Sequence, residues 1–363
     1  MLHAVIIADV NSLASLAAAV LIGSLFSIGA FAQSGRQTGY SEGTARIKAK
    51  KADLPDAADD TIRVETDLVT VPVRVTSKDS KPLSDLKQAE FRIFENGVEQ
   101  NVAYFSSVDQ PFTVALLLDM SYSTVFRLND IQAAALLFVR QLKENDRVTV
   151  IAFDQKPRVL CRPTSDRRVL QLAIEAAKTG SGTSVYDSLD VALNSQLAGV
   201  SGRKAIVMLS DGVDTFSARS SKKEILGILE EEDVIVYPLR YDTYDDVRKN
   251  RRKDAEIRYD DDDRPYVYER APVKGEREID YVEAREFLDE IAGVSGGRVF
   301  KVSSTTNLNS AFTKIAEELR KTYSLGYYPT DERRPGAVYT LKVRINRPNL
   351  NIRTRESIIK RPE

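Results

Sequence analysis

An α/β domain with a mostly parallel sheet, inserted in or flanked by a β-sandwich built from N- and C-terminal strands, is the fold the sequence predicts. Two observations carry it. Between residues 112 and 322, continuous apolar β runs (Val114–Leu118, Val148–Phe153, Ala205–Leu209, Val234–Leu239, Val299–Val302) alternate with segments of helical spacing. Such runs belong to a parallel sheet covered on both faces. On either side of this stretch the pattern is period two instead. Val69, Val71, Val73 and Val75 alternate with Thr70, Pro72, Arg74 and Thr76, and three more β runs follow residue 322.

The elements follow in order. In the N-terminal β segment, 63–111, Pro72 predicts an edge or bulged strand, because it cannot donate to a ladder. Phe91–Phe94 and Val102–Phe105 flank Asn96-Gly97, a strong hairpin signal. In the α/β stretch, Leu128, Ile131, Ala135, Phe138, Val139 and Leu142 keep helical spacing, as do Leu308, Ala311, Phe312, Ile315 and Leu319. Arg158–Cys161 follows a strand after a short turn and predicts an antiparallel edge strand, with Cys161 buried. Asp242 to Asp280 is dense in both charge signs, including Asp260 to Asp263, and reads as a solvated insertion without the ligand spacing of a calcium-binding loop. In the C-terminal β segment, 323–363, strands are expected at Tyr323–Tyr328, Val338–Ile345 and Leu350–Ile358. Neither flank has enough strands for a core of its own, so the two are expected to form one sandwich.

The ends and the composition narrow the function. Val10 to Gly35 carries no charged side chain, and Ala30-Phe31-Ala32 fits a small-x-small cleavage site. Residues 1–32 are therefore expected to be a signal peptide cut after Ala32. An uncut membrane anchor is the alternative. Either reading puts the remainder outside the cytoplasm, secreted or in the periplasm or envelope. Residues 33–62, rich in Gly, Ser, Ala, Lys and Asp, read as a flexible linker. Of 363 residues, enough for about two domains, Lys plus Arg number 52 and Asp plus Glu 53, a formal net charge of −1. That balance argues against nucleic acid as a partner. His3 and Cys161 are the single His and Cys. A His-based triad, a His or Cys zinc site and an intrachain disulfide framework are excluded once the first residues are removed.

What chemistry remains is that of oxygen. In open parallel sheets ligands bind at the carboxyl ends of strands, and two apolar strands here run directly into Asp119 and Asp211. Two such carboxylates on one rim are costly without a cation between them. The loop Asp119-Met120-Ser121-Tyr122-Ser123 adds hydroxyls, and Thr179-Gly180-Ser181-Gly182-Thr183 brings another forward at the start of a helix. Carboxylates and hydroxyls suit a hard cation. Mg²⁺ fits best, with six oxygens at about 2.0–2.1 Å, some of them water. Mn²⁺ and Ca²⁺ are alternatives. Each piece also has a plainer reading: Ser121 and Ser123 as helix caps, Asp211-Gly212 as a turn, Thr183 or Ser184 as an N-cap. Asp187 reads as helix surface or as a support behind the metal ligands, and Asp214 as loop structure.

Asp119-x-Ser121-x-Ser123, then Thr183, then Asp211-Gly212, resembles the metal-ion-dependent adhesion site of von Willebrand factor type A domains. The resemblance covers residues 112–322. The flanks, Glu90-Phe91 through Glu95-Asn96-Gly97 and Tyr323 through Pro329, resemble those of bacterial secreted proteins described only as related to that domain. The resemblance implies a Rossmann-like sheet between helices. It implies Ser121, Ser123 and Thr183 as direct metal ligands, with Asp119 and Asp211 acting mainly through bound water. It also implies a partner carboxylate completing the octahedron. Tyr122 stands where the family commonly has Gly; Tyr122, Gly182 and Gly212 are candidate ligand contacts. The function so implied is a metal-dependent binding or adhesion module, not an enzyme, that grips an acidic residue of a protein or surface polymer. A scaffold protein with a stabilising metal and a metal-dependent hydrolase are the alternatives.

Overall fold

Alternating Val114, Leu116 and Leu118 against Ala115 and Leu117, all fully buried, gives the central strand β5 (Phe112–Asp119) two apolar faces. Burial of each Leu contributes about 1.5–3 kcal/mol. The computed structural model describes residues 68–79, 81–106, 110–122 and 128–360; the expected signal peptide, the linker and Ser123 lie outside the described residues. In chain order the strands before β5 are β1 (Val69–Ser77), β2 (Phe91–Glu95), β3 (Val98–Gln100) and β4 (Val102–Ser106).

Around β5 stand β6 (Arg147–Phe153), β7 (Pro157–Thr164), β8 (Arg203–Ser210), β9 (Val234–Arg240) and the short β12 (Phe300–Lys301). The sheet order is β12-β9-β8-β5-β6-β7, parallel except for the antiparallel edge strand β7. One face packs α1 (Leu128–Gln141), α2 (Arg167–Glu175) and α7 (Thr305–Arg320). The other packs α3 (Val185–Asp190), α4 (Lys222–Glu231) and α6 (Glu278–Val294). Asp166, Ser221 and Ser304 cap α2, α4 and α7 through their side chains. The expected α/β fold with a mainly parallel sheet is thus present.

The remaining strands, β13 (Thr322–Tyr327), β14 (Val338–Ile345), β15 (Leu350–Arg353) and β16 (Ser357–Ile359), interleave with the N-terminal ones. Two antiparallel sheets result, β15-β1-β13-β4 and β16-β14-β2-β3. They share one core, in which Val71, Val73 and Val75 meet Ile93, Tyr323, Leu325 and Val343. Tyr323 lies 5.1 Å from Phe91 and 5.9 Å from Phe105, ring centre to ring centre. Chain direction matters here. The α/β layer leaves the sandwich after β4 and returns by α7 into β13, and these two strands are hydrogen-bonded neighbours, Ser106 opposite Ser324.

Several local expectations need correction. The hairpin at Asn96-Gly97 is real, with positive φ at both residues (47° and 85°), but its second strand is β3, not Val102–Phe105. The chain breaks at Asn101 and β4 crosses to the other sheet. Leu350–Ile358 is likewise two strands, β15 and β16, in different sheets. The break falls at Thr354-Arg355, where the buried Arg355 guanidinium donates to the carbonyls of Leu229, Glu230 and Glu232 at the end of α4. β1 is an interior strand, yet Pro72 breaks no ladder, because β15 pairs only with residues 74–77. Cys161 is half-buried rather than buried, since β7 is the sheet edge; partial burial still pushes its thiol up. The charged stretch holds α5 (Tyr244–Lys253), which buries no residue, and an exposed hairpin of β10 (Glu256–Tyr259) and β11 (Pro265–Tyr268).

Candidate metal site at the carboxyl rim of the sheet

Because β5 and β8 are parallel neighbours in register Leu118 to Leu209, their ends present Asp119 and Asp211 on the same rim. Asp119 is fully buried. Its Oδ1 accepts from the Ser121 N–H (3.0 Å) and its Oδ2 from the Ser210 hydroxyl (2.7 Å). Asp211 accepts from the Val213 N–H (3.0 Å) and, through Oδ2, from the Thr243 hydroxyl (2.6 Å). The Thr243 oxygen lies 3.1 Å from the Tyr281 hydroxyl.

Backbone hydrogen bonds lace the three segments together. Gly180 donates to the Met120 carbonyl (2.8 Å), and Tyr122 donates to the Gly180 carbonyl (3.0 Å). The Thr183 carbonyl accepts from Thr215 and Phe216, while its N–H donates to the Thr215 hydroxyl. Thr183 is buried, and its own hydroxyl has no hydrogen-bond partner among the described residues. Gly182 (φ +72°) turns against the Phe216 ring, which a Cβ would strike; Gly212 (φ +83°) turns against Leu288 in the same way. Both glycines are therefore demanded by the turns themselves. Tyr122 is 73% exposed at the rim.

The electrostatics follow from burial. Asp211 is pushed up to about 7, by desolvation first and then by the neighbouring Asp119 charge. Burial also raises Asp119, against the opposing hydrogen bonds from Ser210 and Ser121. A buried pair of like charges favours either a proton or a cation between the groups. The donor set fits a hard cation: each carboxylate is already oriented by at least two hydrogen bonds, and the Thr183 hydroxyl is unspent. Ser123, the third expected hydroxyl, lies outside the described residues.

Sequence reasoning missed the supports. Ser210 is a polar residue closing an otherwise apolar strand, a signal that was available. Thr243 and Tyr281 sit at the two ends of the charged segment, so that segment is anchored on Asp211 rather than merely solvated. Asp214 accepts from the Val185 N–H (2.9 Å) at the start of α3 and pairs with Lys274 (3.3 Å). The start of that helix thus faces an internal carboxylate. Asp187 is buried and accepts from the N–H groups of Ala218, Arg219 and Ser220. Neither of these two acids is free surface.

The von Willebrand factor type A domain family model matches residues 114–213, which hold Asp119, Ser121, Thr183 and Asp211. The chain contains a von Willebrand factor type A domain. An uncharacterized protein of Synechocystis, sll0103, is 31% identical over 106 residues, 28% of this chain and 25% of that protein, so the match takes in about a quarter of the relative's length. The type A domain is also similar to BatB from Bacteroides thetaiotaomicron, at 19% identity and a TM-score of 0.41, over 58% of this chain and 98% of that one. A mussel byssus protein, proximal thread matrix protein 1 with a zinc-occupied adhesion-site motif, is similar at 13% identity and a TM-score of 0.42, over 60% and 47% of the two chains.

Proposed function

We propose that the type A domain binds an acidic group of a partner through a divalent cation. The cation is Mg²⁺ by preference, or Mn²⁺ or Ca²⁺, held by Ser121, Ser123 and Thr183, with Asp119 and Asp211 acting through water. The observation that carries this reading is the pair of buried carboxylates on one rim with the unspent hydroxyl of Thr183. Every oxygen of Asp119 and Asp211 already accepts at least one protein hydrogen bond, which suits carboxylates that orient water rather than grip the ion. Neutral hydroxyls as direct ligands leave the ion's charge largely uncancelled, so it attracts a further carboxylate. Tyr122 at the exposed rim is placed to contact whatever brings that carboxylate.

The protein acts as a binding module rather than an enzyme, outside the cytoplasm, and the N-terminal apolar segment directs it there. Its partner is a protein or surface polymer displaying carboxylates. Among the described residues no helix is long and apolar enough to cross a membrane. Capture from the native envelope, with Mg²⁺ and with chelator, tests the reading. The expected result is a partner retained by the wild type with Mg²⁺ and lost with chelator or in Asp119→Ala. Retention that ignores both changes refutes it.

A further inference from the structure

Away from the rim, at the seam between the sandwich and α7, a cavity of about 160 Å³ is lined by Arg74, Arg298, Arg353, Glu318, Thr76 and Asn351. That volume is several times what one ordered water requires. β1 supplies Arg74 and β15 supplies Arg353, directly opposite one another across the ladder. Like charges in that relation are destabilising. Arg298 arrives from the turn before β12, its guanidinium 4.2 Å above the Phe300 ring.

The charges do not cancel. Glu318 is buried between Arg74 and Arg298 and pairs with both, through opposite carboxylate oxygens. The Arg353 side chain, exposed at the end of β15, makes no hydrogen bond or ion pair among the described residues. Partial desolvation in the pocket, then the Arg74 and Arg298 charges, draws its guanidinium below the ordinary value. Arg74 is only 6% exposed and spends Nη2 on the Tyr237 hydroxyl (2.7 Å). Its Nε is buried without a partner, as is that of Arg298. A buried guanidinium donor without an acceptor is costly. Three guanidinium groups against one carboxylate leave two positive charges in excess.

We propose that this pocket binds a phosphate or sulfate group, held by Arg74, Arg298 and Arg353. Two excess positive charges match a dianion, whereas a single carboxylate would leave one charge uncompensated. Donors arrive from two strands and a turn, as a tetrahedral group with three or four acceptor oxygens requires. Arg74 and Arg353 lie in the sandwich and Arg298 and Glu318 in the type A domain, so the bound group would fasten one to the other.

Isothermal titration of the metal-free full chain with inorganic phosphate, sulfate and acetate, at constant ionic strength, tests this. Phosphate or sulfate should saturate one site, with acetate about tenfold weaker or worse. The better of the two oxyanions identifies the group. Arg353→Gln and Arg298→Gln, checked for folding by circular dichroism, should each weaken binding about tenfold or more. Lys249→Gln on exposed α5 should not. The chain is metal-free throughout the titration, which separates this site from the rim. No saturable binding of either oxyanion, equal binding of acetate, or unchanged affinity in both arginine variants overturns the proposal.

Discussion

The carboxyl rim of the sheet and the arginine pocket beside α7 are opposite in charge and alike in construction. At the rim, buried Asp119 and Asp211 face each other and one is pushed up to about 7. In the pocket, Arg74 and Arg353 face each other across a ladder with one carboxylate to serve three guanidinium groups. Folding has in each case brought like charges together without completing them. The difference lies in how the cost is met within the chain. At the rim, neutral hydroxyls and N–H groups orient both acids, and a proton can stand in for a cation. In the pocket a guanidinium cannot give up its proton near neutral pH, so stacking, one shared glutamate and the Tyr237 hydroxyl are the internal relief available.

Arg355 sharpens this contrast, because it lies two residues beyond Arg353 and is served by four carbonyls, three at the end of α4 and that of Ser357. Arg355→Gln should cost about 3 kcal/mol in urea unfolding, the range for breaking a buried charge's partnership. It also removes the cation beside half-buried Asp233. A smaller effect is expected at the rim. Thr243→Val removes the hydroxyl donor to Asp211, and Mg²⁺ affinity measured by titration calorimetry should fall about tenfold, as for other groups that orient metal-site residues. Unchanged affinity would detach Thr243 from the site.

Proton linkage gives the next prediction. Asp211 has a folded value near 7, above its ordinary carboxylate value of 3.8. Between those limits the folded state holds more protons than the unfolded one. The pair's penalty is therefore absent below about pH 4 and fully present above about pH 7. Metal-free protein should lose stability from this pair as pH rises from 5 to 8, and Asp211→Asn should flatten that slope. Mg²⁺ affinity should run the other way and weaken as pH falls below 7, because metal and proton compete. Thermal melts and titrations across that range check both signs. The smallest change is expected at Arg353→Gln in buffer without phosphate or sulfate. Relief of the like-charge pair with Arg74 should leave stability within about 0.5 kcal/mol of wild type, or slightly above it.

The rim was legible because its parts are local. Strand period, strand end and loop each fall within a few residues, so Asp119, Ser121, Thr183 and Asp211 could be named from their places at strand ends and a helix start. Their supports were not legible. Thr243 reaches Asp211, and Tyr281 reaches Thr243, only because a highly charged segment begins and ends there, and charge density hides two such residues. The parallel sheet followed from continuous apolar runs, but sheet-switching at Asn101 and Thr354 did not, since period two persists across both breaks. The arginine pocket was out of reach for the same reason. Residues 74, 298, 318 and 353 share no local pattern, and strand register alone brings them together.

A crystal soaked in Mn²⁺ tests the central claim most directly, through the ion's anomalous signal. The account predicts one peak at the rim within direct-coordination distance of the Ser121, Ser123 and Thr183 hydroxyls, with Asp119 and Asp211 one water further out and an open position toward Tyr122. Absence of a peak there, or an ion fully enclosed by protein with no position left for a partner's carboxylate, would contradict it.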